Sequence, residues 1–88
     1  MKKEEFTAQL VKKTIFTYST EHLLQKDKVR FYYALKGRDG ASGIIVRLQI
    51  EQLGKTVLLV SPEHEAEVNE FLTFWKCDHQ KRRIYLEH

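Results

Sequence analysis

The sequence predicts an α+β domain: an antiparallel β-meander of three to five strands, covered by a helix in the C-terminal half, with a short N-terminal helix. Three observations carry this. Residues 28–36 alternate apolar and polar side chains with period two, as a half-buried antiparallel strand does. Ser61-Pro62 followed by Glu63, Glu65 and Glu67 is a helix start, and Val68, Phe71, Leu72 and Trp75 continue it as one apolar stripe. The chain has 88 residues and a 42% apolar share, enough for one small core and too little for a second domain.

Taken in order, Lys3 to Lys13 places Phe6 and Leu10 at helical spacing behind Glu4 and Glu5, which predicts the short first helix. Thr14 to Tyr18 is rich in β-branched and aromatic types and reads as a strand. Ser19-Thr20-Glu21 opens a single helical turn around His22 to Gln25. In the 28–36 strand, Val29, Phe31, Tyr33 and Leu35 would face the core, with Lys28, Arg30, Tyr32, Ala34 and Lys36 outward. Helix formers run from Lys26 to Ala34, so a helix is the alternative there. Gly37, Gly40 and Gly43 mark a turn. Ile44 to Ile50 alternates again as a second strand, Gly54-Lys55 is a tight connection, and Thr56 to Val60 is a third, central strand. After the main helix, Arg82 to Leu86 reads as a short final strand.

Residues 1–85 are read as the single domain, and Leu86-Glu87-His88 as the remnant of an expression tag. Without Glu87 the formal charge rises by one, from +3 to +4. No apolar run approaches the roughly 20 residues of a membrane span. Lone Cys77 has no partner for an internal disulfide, so a cytoplasmic setting is expected. Charge is segregated: residues 1–40 hold nine Lys and Arg against five acids, and residues 41–75 hold two against five.

Few residues offer chemistry. Gly54-Lys55-Thr56 ends like a phosphate-binding loop, but Gln49 stands where the first glycine belongs and strand-like sequence follows. Among metal-ligand types only Cys77 and His79 are close in sequence; His64 and His22 are remote, so no metal and no cofactor are expected. Cys77 with His79 or His64 could be drawn as a nucleophile–base pair, yet no orienting group accompanies it, and the chain is read as non-enzymatic.

Two functional classes remain. One is a protein-interaction or homodimeric module, in which a small core gains from a partner; Ile45 and Tyr32 would offer contacts, and an acidic helix could meet a basic strand of a second copy. The other is a single-stranded nucleic-acid binder using a basic sheet face of Lys28, Arg30, Tyr32, Lys36, Arg38 and Arg47, with Tyr32 for stacking.

Overall fold

The computed structural model describes residues 10–87. In chain order these form β1 (Leu10–Tyr18), α1 (Gln25–Lys36), a one-turn helix α2 (Ile44–Arg47), β2 (Glu51–Gly54), β3 (Val57–Val60), α3 (Glu65–Phe74) and β4 (His79–Glu87). A 3-10 turn, Pro62–His64, leads into α3. The sheet is antiparallel throughout, in the order β2-β3-β1-β4. Strands β1 and β2 therefore run the same way with β3 between them, and β3 and β4 run the same way with β1 between them. Two strand–helix–strand units interleave, as in the split βαβ arrangement.

The α+β class, the antiparallel sheet and the covering C-terminal-half helix follow the sequence reading. Two predicted strands do not. Residues 28–36 lie inside α1, because Phe31 and Leu35, four apart, are the positions that the core takes up. Val29 and Tyr33, expected inside, are 40% and 46% exposed. Residues 44–50 fold as α2 and its exit for the same reason: Ile44 and Leu48 are buried at helical spacing, and the left-handed backbone at Gln49 (φ 56°) turns the chain into β2. The predicted N-terminal helix falls largely outside the described residues, and its last four, Leu10 to Lys13, are strand.

The turn between α1 and α2 depends on glycine. Gly37 ends α1 at φ 90°, and its amide donates to the Tyr33 carbonyl. Gly43 packs so closely that a Cβ there would run into the Leu35 carbonyl and the Gly37 amide. Asp39 ties the loop together by accepting from the Ala41 and Ser42 amides at 2.9 and 3.0 Å.

Helices α1 and α3 cover one face of the sheet. Phe16, Tyr18, Leu58 and Val60 point into a core completed by Phe31, Leu35, Val68 and Leu72. Phe31 is its hub, with ring centroids 5.5 to 5.7 Å from Tyr18, Tyr32, Phe71 and Trp75. Ser61 stands before the helix start as expected, but its hydroxyl does not cap the helix amides. It accepts instead from the Lys13 ammonium at 3.0 Å.

Candidate functional site

Among the described residues, no helix packs on the other face of the sheet. In β1 the residues facing this way are Val11, Lys13, Ile15 and Thr17. Register then places Val57 and Leu59 of β3, Glu51 of β2, and Gln80, Arg82, Ile84 and Leu86 of β4 on the same side. None of these belongs to the helix-covered core cluster.

One cross-strand row runs the full width of the sheet: Glu51, Leu59, Ile15, Arg82. Its ends carry opposite charges and its middle is aliphatic. With strands about 4.8 Å apart, the row is roughly 14 Å long. Leu59 is 8% exposed and Ile15 half-buried, both within an aliphatic strip that Val57, Ile84 and Val11 extend. A depression of about 190 Å³ beside it is lined by Ile15, Thr17, Gln80, Lys81 and Arg82. That is smaller than the roughly 300 Å³ at which ligand pockets begin.

The basic sheet face read from sequence is not assembled, because its main strand is a helix. Lys28, Arg30, Tyr32 and Lys36 lie on α1 and Arg38 just after it. Arg47 lies apart on α2, where its guanidinium meets the Glu67 carboxylate at 2.7 Å. Tyr32 is half-buried, edge-on to Phe31 with the Lys36 ammonium 5.5 Å from its ring centre. Ile45 also packs against the core and is no free contact. The surface residues missed were Lys26 and Tyr33, which share a helical stripe with Arg30; the spacing i, i+4, i+7 is visible in the sequence once helix is assumed. Arg38 lies over the Tyr33 ring at 5.1 Å.

On the covered side, one acid of the α3 helix, Glu65, is paired within the chain with two cations of β4, Lys81 and Arg83. Glu65 of α3 accepts from both Nε and Nη2 of Arg83, at 3.1 Å each, from the Thr14 hydroxyl, and faces Lys81 at 3.5 Å. Its side chain is 12% exposed. The Arg83 and Thr14 hydrogen bonds hold its carboxyl down to about 2, because both favour the charged form.

The residues that could have formed a catalytic pair are engaged otherwise. His79 Nδ1 lies 2.8 Å from the Cys77 carbonyl and Nε2 lies 2.9 Å from Asn69 Oδ1, so the ring fastens β4 to α3. The Cys77 thiol is buried and burial pushes its pKa up, away from a reactive thiolate. The Tyr18 phenol, raised by burial too, donates to the Lys55 carbonyl at 3.2 Å. Gly54 ends β2, and Lys55-Thr56 is the two-residue hairpin loop into β3. Among the described residues no cluster of three metal-ligating side chains occurs. No helix among them is long and apolar enough to cross a membrane.

No family model, no curated protein and no solved structure matches the chain. The functional reading therefore rests on the geometry alone.

Proposed function

We propose that the chain is a non-enzymatic homodimeric module whose uncovered sheet face packs on the same face of a second copy. The row Glu51–Leu59–Ile15–Arg82 carries this reading, because it is self-complementary. A two-fold axis parallel to the strands, between β1 and β3, lays β2 of one copy over β4 of the other. Glu51 then meets Arg82 twice, and the aliphatic pairs meet in the middle. An axis across the strands would place like charges over like, so charge selects the first arrangement. The contact is that of two sheets packed face to face, about 10 Å apart. Leu59 is already 8% exposed and Ile15 half-buried in the single chain, so each adds only a fraction of the roughly 1.5–3 kcal/mol of a fully exposed side chain. The more open Leu86, 37% exposed, has more to add against the cost of association.

Light scattering over a concentration series tests the proposal. The expected result is a two-chain mass that Ile15→Glu reduces to one chain while far-UV circular dichroism stays unchanged. Glu51→Lys should weaken the dimer, and Glu51→Lys with Arg82→Glu should restore it. A one-chain mass at high concentration, or no restoration by the charge swap, overturns the proposal.

A further inference from the structure

The outward face of α1, on the opposite side of the domain from the sheet face just described, has a different chemistry. Lys26, Arg30 and Tyr33 form one exposed stripe, Arg38 folds back over the Tyr33 ring, and Lys36 flanks it over Tyr32. Lys26 and Tyr33 are about 10 Å apart along the helix axis, at 1.5 Å per residue. Among the described residues the three ion pairs within 4 Å use Arg47, Lys81 and Arg83. None of the four cations of this face, Lys26, Arg30, Lys36 and Arg38, meets a carboxylate there, and neither does Lys28, the remaining cation of α1. Asp27, next to Lys26 on the first turn of α1, makes no ion pair within 4 Å among the described residues. Asp39, next to Arg38, spends its oxygen on the loop amides, whose hydrogen bonds lower its pKa.

We propose that this face binds the phosphate backbone of double-stranded nucleic acid without reading its sequence. Four cations over one helix are a concentrated positive surface, and a duplex offers one negative charge per about 1.7 Å of axis. Two of the four are arginines, whose planar fork suits phosphate oxygens. Single-strand recognition is disfavoured by the rings themselves. Tyr33 is covered by Arg38, and Tyr32 is packed edge-on against Phe31 under Lys36. No two open rings stand side by side for successive bases, and stacking on successive rings is what single-strand readers use. The uncovered sheet face supplies no ring either, since its outward positions on β1, β3 and β4 are Val, Ile, Leu, Thr, Gln, Lys and Arg.

Fluorescence anisotropy with a labelled 20-base-pair duplex of arbitrary sequence, titrated at several salt concentrations, tests this. Three to four phosphate contacts predict that affinity falls about 40- to 150-fold between 50 and 200 mM salt. Lys26→Gln with Arg30→Gln removes two contacts and should lower the slope of log K against log salt by about 1.8. Lys55→Gln with Lys76→Gln removes the same charge elsewhere and should leave binding within about twofold of the unmodified chain; circular dichroism checks that both variants fold. Absence of duplex binding at 50 mM salt overturns the proposal, and so does an equal loss in the control variant. Equal competition by poly-glutamate, equal binding to vesicles of anionic lipid, or tighter binding to a single strand of the same length would each overturn it too. Dimerisation and duplex binding use opposite surfaces, so either can fail without the other.

Discussion

Two groups of cations in this domain behave differently although their residues are of the same type. On β4, Lys81 and Arg83 are bound to one carboxylate, Glu65, which sits between sheet and helix with the Thr14 hydroxyl behind it. On and just after α1, Lys26, Arg30, Lys36 and Arg38 extend into solvent or over tyrosine rings. The first group serves the fold; the second is available for something outside it. A count of Lys and Arg cannot separate the two, whereas the position of one acid can.

The sharpest way to break this contrast is to remove that acid. Glu65→Ala takes the partner from Arg83 and leaves the fully buried Thr14 hydroxyl without its acceptor. A loss of about 1–3 kcal/mol in urea unfolding is expected. A loss below about 0.5 kcal/mol would mean that the cluster is ornamental to stability.

Acid should reproduce part of that effect without mutation. The Glu65 pKa is depressed, so the folded state holds its proton less readily than the unfolded chain does. The stabilisation is present above the ordinary carboxylate range near 4.5 and is lost as pH falls from there towards about 2. Thermal melts between pH 6 and pH 2 check it, and the Glu65→Ala variant should show a flatter profile over that range.

Arg83→Lys, which keeps the charge but not the two-point contact, should cost less than Glu65→Ala in the same urea unfolding measurement, because an exposed cation is screened by water. The smallest effect belongs to α1. Lys26→Gln with Arg30→Gln should change stability by within about 0.5 kcal/mol, because exposed positions without partners contribute little to the fold. A larger loss there would join the two groups after all and place the α1 cations in the folding energetics.

The strands β1, β3 and β4 and the start of α3 were legible because their patterns admit one reading. Val57-Leu58-Leu59-Val60 is too short for a helix and is bounded by turn residues, and Ser61-Pro62 marks the next start. Residues 28–36 admit two. Their alternation satisfies a period of two, yet Lys28, Phe31, Tyr32 and Leu35 also satisfy i, i+3, i+4, i+7. Packing decides between them: Phe31 is the one ring that reaches Tyr18, Phe71 and Trp75 together, and a helix brings Leu35 in beside it. The same ambiguity affects Ile44 and Leu48. The row across the uncovered sheet face was illegible for another reason. Its four members come from four strands, and only the register, a property of the assembled sheet, aligns Glu51 with Arg82.

The inner position of β1 also bears on how fast the domain can form. Thr14 pairs with Val60, 46 residues later, and Leu10 with Glu87, 77 residues later. No neighbour of β1 in the sheet is close to it in sequence, so most of the sheet waits on closing long stretches of chain. Such topologies fold slowly among domains of this size, and a nascent chain would carry β1 with both edges bare until β3 left the ribosome and with one edge bare until β4 did.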